Sequence, residues 1–368
     1  MRLQDSETAS KFENHKHPKS ESEENKLKKS LKSKCLLVGM LIVAFTFPML
    51  GCGSSKPSVT GDTATKKTVL RLGYIMAPGG PADDNAKFFK KLVEERSKGQ
   101  IEVQVYPSST LGNEADLMDG IKLGSVDMAL TGEAPINLFA PEYAALNMPY
   151  AFRDLEHLQK VLSGPIGNGL ADKFVETKGA RVLDYWTRGP RFLTANREIK
   201  TPDDLKGLKL RVPEIKVFTE AWKAMGAIPT PINFGELYNA MQQHVVDAQE
   251  NPLELITTSS FYEIQKYLMT TAHVRAPYIL FISDKIMKGL PEDLQKVIND
   301  SAKEAGQQEL KDTLNAEDKF LAGLKAKGMT VVEVDTNLFR DKIKDLPARL
   351  ESELKWKPGL YQAILDTK

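Results

Sequence analysis

Two stretches of the chain, residues 69–130 and 208–249, each read as strand, helix, strand, helix, strand, and this repeated order constrains the fold more than any other feature. In the first, residues 69–75 form an apolar strand and residues 83–98 an amphipathic helix with Ala86, Phe89, Leu92 and Val93 near helical spacing, closed by Gly99. Ile101, Val103 and Val105 then alternate as a second strand. Residues 107–112 turn into a helix carrying Leu117, Met118 and Ile121, which ends at Gly124 before the apolar residues 126–130. In the second stretch, residues 208–212 are a strand, 215–225 a helix stopped at Gly226, 227–230 a strand, 235–243 a helix and 245–249 a strand. Asp116-Leu117 and Val126-Asp127 recur as Glu236-Leu237 and Val246-Asp247, against the competing explanation that any two amphipathic helices share such pairs. Alternation of this kind implies mostly parallel sheets covered by helices, with a ligand crevice at the carboxyl ends of the strands.

The expected class is therefore α/β, a two-lobed clamshell with a mixed, mostly parallel sheet in each lobe and a helical C-terminal part, where residues 294–327 carry repeated apolar positions among Glu and Lys. A late strand over 329–334 precedes a final helix near Phe339. The chain has 368 residues, enough for two lobes. Its 50 Lys and Arg against 49 Asp and Glu are interspersed, which argues against a nucleic-acid partner.

Residues 1–34 are polar and rich in Ser, Lys and Glu, residues 26–34 carry only basic charges, and an apolar run over 35–51 ends at Cys52. This is the pattern of a signal peptide, and Gly51-Cys52-Gly53-Ser54-Ser55 resembles a lipobox, with Cys52 as the lipid-bearing residue. An uncleaved transmembrane anchor is the competing reading, but the run is short for a span of ~20 residues and Pro48 lies near its end. Residues 1–51 are accordingly read as leader and 52–67, rich in Ser, Thr, Gly and Lys, as a flexible tether. The only two cysteines, Cys35 and Cys52, both fall in the leader and at its end, which leaves the body without a disulfide, a thiol nucleophile or a cysteine metal site.

In the body, Arg211 ends a short strand before Pro213, and Gln249-Glu250-Asn251-Pro252 follows about forty residues on. A guanidinium is a planar, permanently charged fork that matches both oxygens of a carboxylate, and an amide such as Asn251 can both donate and accept beside it. Each has a plainer reading, Arg211 in a structural salt bridge and Asn251 as a turn residue before proline. Upstream lies Trp186-Thr187-Arg188-Gly189-Pro190-Arg191, where Arg188 reads as a solvated neighbour of Arg191. His157, His244 and His273 are scattered, and no phosphate loop, nucleophile elbow or dinucleotide fingerprint is present, so no enzyme, cofactor or metal site is expected.

These motifs, with Pro229-Thr230-Pro231-Ile232-Asn233-Phe234-Gly235-Glu236-Leu237-Tyr238 between them, Leu70-Arg71-Leu72-Gly73 and Tyr106-Pro107-Ser108-Ser109-Thr110-Leu111-Gly112 before them and Leu290-Pro291-Glu292-Asp293-Leu294-Gln295-Lys296 after them, give the chain its family likeness. From about Leu70 to about Lys355 it resembles a solute-binding protein of the tripartite ATP-independent periplasmic (TRAP) transporters, DctP-like. The resemblance implies an extracytoplasmic receptor, a monomer held to the membrane by its N-terminal lipid. It would capture a small organic acid, a dicarboxylate or a sugar acid, and deliver it to separate membrane permease subunits. A ligand-presenting sensor for a signalling partner would share every site residue. The resemblance also implies that the chain crosses between lobes several times, so that lobe I comprises 68–187 with about 277–316 and lobe II 188–276 with about 317–368. It assigns Arg211 as the main carboxylate contact, Arg191 as a second ligand-facing arginine, Asn251 as a polar contact, Phe234 as an aromatic wall and Glu133 as a polar position touching ligand hydroxyls.

Overall fold

The computed structural model describes residues 67–368; the leader, Cys52 and the tether up to residue 66 lie outside the described residues. The chain runs through β1 (Thr68–Tyr74), α1 (Pro81–Arg96), β2 (Ile101–Tyr106), α2 (Glu114–Leu123), β3 (Met128–Thr131), α3 (Ala134–Phe139), α4 (Leu155–Ser163), α5 (Pro165–Lys178) and β4 (Ala180–Trp186). It continues through β5 (Arg191–Ala195), β6 (Lys209–Val212), α6 (Lys216–Met225), β7 (Ile228–Pro231), α7 (Leu237–Gln242), β8 (Ala248–Pro252), α8 (Leu253–Thr258) and β9 (Tyr267–Val274). It then passes through β10 (Tyr278–Ser283), α9 (Asp284–Gly289), the 35-residue α10 (Glu292–Ala326), β11 (Thr330–Val332), α11 (Thr336–Lys342), α12 (Leu346–Glu353) and α13 (Leu360–Asp366).

Two mixed sheets result, one in each lobe, ordered β2-β1-β3-β10-β4 and β11-β9-β5-β8-β6-β7. In the first, β1 runs parallel to β2 and β3 while β10 is antiparallel to both β3 and β4. In the second, β6 runs parallel to β7 and β8, β11 parallel to β9, and β5 lies antiparallel between β8 and β9.

Local chemistry explains the elements. In β1, Leu70, Leu72 and Tyr74 alternate onto the buried face, the period of a strand. Helix α1 begins at Pro81, carries Asp83 and Asp84 in its first turn and Arg96 in its last, and buries the stripe Ala82, Ala86, Phe89, Val93. Helix α2 opens on a capping box in which the Asn113 side chain accepts from the Asp116 N–H and the Asp116 carboxylate accepts from the Asn113 N–H; Gly124 in the left-handed region stops it.

Three segments connect the lobes: residues 187–190 between β4 and β5, residues 275–277 between β9 and β10, and α10. At ~1.5 Å per residue α10 is about 52 Å long. It packs on α1 and β4 of the first lobe and on α8 of the second, and the Trp186 indole donates to the Ala302 carbonyl at 3.2 Å.

The helix expected as final near Phe339 is followed by two more, α12 and α13, and the boundaries around α7 and β8 differ from expectation. Residues 235–243 do not form one helix, because a 3₁₀ turn over Phe234–Glu236 precedes α7. The strand expected over 245–249 occupies Ala248–Pro252, since His244 adopts a positive φ of 56° and residues 245–247 complete the turn.

Candidate functional site

One cleft between the lobes is lined by Arg188, Arg191, Arg211, Glu114, Glu133 and Asn251, together with Asn113, Asn233 and apolar Ile75, Phe234, Leu255 and Tyr278. All five residues singled out from the sequence as ligand contacts, Arg211, Arg191, Asn251, Phe234 and Glu133, therefore line a single cleft.

Parallel pairing of β6 between β7 and β8 carries Arg211 to the cleft, with Pro213 just beyond the strand. The side chain is only 2 % exposed. Its Nε donates to the Ile232 carbonyl at 2.8 Å, and its terminal nitrogens have no hydrogen-bond partner among the described residues. Burial, with the nearby charge of Arg191, pushes the guanidinium down to about 10, so the charge is under-compensated by the protein.

Arg191 shows the opposite balance. It begins β5, diagonally across the ladder from Glu250 on β8, and donates from Nε and Nη2 to the two Glu250 carboxylate oxygens at 2.5 and 2.7 Å. Nη2 also reaches the Glu250 carbonyl at 2.6 Å, and Nη1 reaches Glu133 at 3.2 Å. Burial alone would lower this guanidinium, but Glu250 and then Glu133 more than offset it and hold it above its ordinary value. Burial likewise opposes ionisation of Glu250, yet Arg191 and the His273 hydrogen bond bring that carboxyl down to about 2.

His273 completes this chain. Three extra residues in β9, with Ala272 at a φ of 38°, interrupt the β5–β9 register and turn Thr271 and His273 inward. His273 Nε2 lies 2.8 Å from Glu250, and Nδ1 lies 2.9 Å from the Thr271 hydroxyl, which accepts from the Leu193 N–H at 3.2 Å. Burial keeps the imidazole below its ordinary value, so it is neutral, with Nε2–H donating to Glu250 and Nδ1 accepting from Thr271.

Glu133, at the start of α3, bridges two arginines: Arg188 Nη1 lies 2.7 Å from one oxygen and Arg191 Nη1 3.2 Å from the other. Burial opposes its ionisation, but these two charges hold its carboxyl below the usual range. Arg188 is not a solvated neighbour of Arg191, as the sequence had implied. It is 5 % exposed, because the short crossing at 187–190 runs through the interior; its guanidinium lies 5.1 Å from the Tyr278 ring centroid, and its Nε and Nη2 are buried with no partner among the described residues.

Asn251 is 1 % exposed and donates from Nδ2 to Gln249 at 2.5 Å; Gln249 donates in turn to Thr194 at 2.8 Å, so the amide is fixed by its neighbour two residues back on the same strand face. Phe234 meets Phe261 edge to face at 6.0 Å, which sets the ring as a wall of the cleft.

Sequence reasoning missed Glu250, His273, Glu114 and Glu254. Glu250 sits inside the quoted Gln249-Glu250-Asn251 motif, and strand alternation was the signal that would have set it apart from its neighbours. Glu114 starts α2, and one of its oxygens accepts from the Gly132 N–H. Burial and the Glu133 charge raise its carboxyl to about 7. Glu254, on α8, accepts from the Ala82 N–H at 3.0 Å and the Tyr278 hydroxyl at 2.9 Å, a tie from the second lobe to the first.

Two α/β lobes joined by three crossings, with a buried, under-compensated arginine in the cleft between them, define a two-lobed binding protein. A family model described as bacterial extracellular solute-binding protein, family 7 (DctP), matches residues 72–353, and the chain belongs to this family. A solute-binding protein of Roseobacter denitrificans is 40 % identical over 280 residues, covering 76 % of this chain and 86 % of the relative. Among solved structures, a TRAP periplasmic solute-binding protein of Roseobacter denitrificans with bound L-galactonate superposes with a TM-score of 0.77 at 36 % identity, over 82 % of this chain and 99 % of that one. One from Sulfurospirillum deleyianum with bound succinate also gives 0.77, at 30 % identity and over the same shares.

Proposed function

We propose that this chain is the extracytoplasmic receptor of a TRAP transporter, closing its two lobes on a small organic acid and presenting it to the membrane permease. The observation that carries the reading is Arg211: a buried guanidinium lining the cleft, whose Nε is anchored by the Ile232 carbonyl and whose terminal nitrogens have no partner among the described residues. A carboxylate in the cleft would accept from both and supply the charge that the protein withholds. Asn251 then contacts the same end of the ligand, Phe234 closes over its apolar face, Glu133 accepts from a hydroxyl, and Arg191, anchored to Glu250, faces the ligand beside Arg211. The residues bind and do not react, so the role is capture without chemical change.

The lobes are taken as 68–187 with about 277–316 and 188–276 with about 317–368. This division puts each sheet in one unit and the crossings at the boundaries. The protein acts as a monomer. Cys52 is its lipid attachment site, supported by the apolar run and the Gly51-Cys52 pair that precede the body. Replacing Cys52 with Ser should release the protein into the soluble fraction; a variant still membrane-bound and still carrying residues 1–51 would reverse the anchoring assignment.

Arg211→Lys tests the ligand site, since a lysine is a point charge that cannot hold both oxygens. Losing a buried, charge-assisted pair costs on the order of 2–5 kcal/mol, so calorimetry should show affinity for the acid falling tens- to thousands-fold with the fold intact by circular dichroism. Binding within a few-fold of wild type would remove Arg211 from the site.

A further inference from the structure

The charges lining the cleft are unevenly distributed between the lobes. Three cations line it, Arg188, Arg191 and Arg211, with no lysine or histidine among the described residues. Two of the three are neutralised from within: Arg191 by Glu250 and Glu133, Arg188 by Glu133. The remaining donors of Arg188, Nε and Nη2, are buried without a partner among the described residues. Arg211, in the second lobe, is the cation of the three that has no carboxylate partner among the described residues. The first lobe presents Glu114 instead, with one oxygen on the Gly132 N–H and the other without a partner among the described residues, next to the amide of Asn113. The exposed Glu214 at the rim adds a further negative charge.

Resting on the reading of Arg211 as the carboxylate contact, we propose that the cleft selects a polyhydroxy monocarboxylate over a dicarboxylate of equal length. Glu114 is the specificity-determining residue, accepting a ligand hydroxyl and repelling a second carboxylate from the opposite lobe. A ligand whose carboxylate sits at Arg211, in the second lobe, extends toward the first-lobe lining, which includes Glu114. A hydroxyl there donates to a carboxylate oxygen; a second ionised carboxylate has no hydrogen to give and meets a like charge in a water-poor site. Asn113 and Asn233, which also line the cleft, offer the mixed donors and acceptors that a chain of hydroxyls uses on both sides.

The charges acting on Glu114 are those of Glu133 at the start of α3, Arg188 on the crossing segment and Arg191 on β5, and Glu114 in turn acts on Arg211 on β6, which lines the same cleft. Among these Glu114 is the group poised to change charge near neutrality, its carboxyl raised to about 7 by burial and by Glu133. Discrimination against dicarboxylates should therefore strengthen as pH rises from about 6 to about 8, as Glu114 ionises.

The test uses the purified mature protein, Glu114→Gln and Arg211→Lys, titrated calorimetrically with galactonate and galactarate, six-carbon acids that differ only in carrying one or two carboxylates. Wild type at pH 8 should bind galactonate at least roughly tenfold tighter than galactarate. In Glu114→Gln, whose amide oxygen still accepts from Gly132, the gap should shrink to about threefold or less through tighter galactarate binding, and its pH dependence should disappear. Equal binding of the two acids by wild type, or an unchanged ratio in Glu114→Gln, overturns the proposal and leaves the carboxylate reading of Arg211 standing. If Arg211→Lys binds galactonate like wild type, or wild type binds neither acid, the reading of Arg211 fails and takes the proposal with it.

Discussion

Arg191 grips both carboxylate oxygens of Glu250, at 2.5 and 2.7 Å, from a position diagonally across the β5–β8 ladder. That pair absorbs the charge of the arginine that acts on Arg211, and so bears on which guanidinium in the cleft remains available. A buried pair broken on one side leaves an uncompensated charge, and the cost is larger than the net worth of the pair.

Glu250→Gln should therefore destabilise the protein by about 3–5 kcal/mol at pH 7, read as a lower midpoint in urea with an unchanged slope. Because the Glu250 carboxyl sits at about 2 in the fold against 4.5 unfolded, its contribution is full above 4.5 and drains away as pH falls from there toward 2. The variant should lose that part of the acid sensitivity, up to about 3 kcal/mol between pH 5 and pH 2. An acid profile identical to wild type would show that the pair does not hold the carboxylate ionised.

Glu317 works in the other direction. It lies on α10, where its carboxylate abuts the backbone of Gly189 at the first crossing, and burial, followed by the Glu254 charge, raises its carboxyl to about 7. The folded state keeps its proton longer than the unfolded chain does, so wild-type stability should fall as pH rises from about 4.5 to about 7. Glu317→Gln removes the penalty and should raise stability at pH 8 by roughly 1–3 kcal/mol while changing little at pH 4. Equal midpoints of variant and wild type at pH 8 would refute this.

The sequence carried the local elements of both lobes, because β1, α1, β2, α2 and β3, and later β6, α6 and β7, each announce themselves by apolar period and by a capping or stopping residue. It did not carry β4, β5, β9 and β10. All six residues of β10 are buried, so no alternation marks it, and its partners β3 and β4 lie far away in sequence. Strand β8 was displaced for a related reason: Gln249, Glu250 and Asn251 are polar and look unlike a buried strand until their partners Thr194, Arg191 and His273 arrive from other elements. The same limit applies to the cleft. Arg211 and Asn251 stand out by motif, whereas the neutralisation of Arg191 and Arg188, which gives Arg211 its distinct state, exists only once Glu133 and Glu250 converge on them.

Gly132 offers a test of how tightly that convergence is packed. A Cβ added there would stand 2.6 Å from Arg188 Nη1 and 3.2 Å from a Glu114 oxygen, and neither group can withdraw freely: Arg188 is buried and held by Glu133 at 2.7 Å, and Glu114 is held by the Gly132 N–H itself. Gly132→Ala should consequently cost about 1–3 kcal/mol of stability, the range for forcing a methyl group into a filled interior. Gly289→Ala, where nothing among the described residues lies within 4 Å of the added Cβ and φ is outside the left-handed region, should leave the midpoint nearly unchanged and serves as the control. Since the displaced groups line the cleft, Gly132→Ala should also weaken acid binding more than Gly289→Ala does. A Gly132→Ala protein with wild-type stability and affinity would mean that Arg188 and Glu114 can move aside without consequence, and that their placement against this glycine does not shape the cleft.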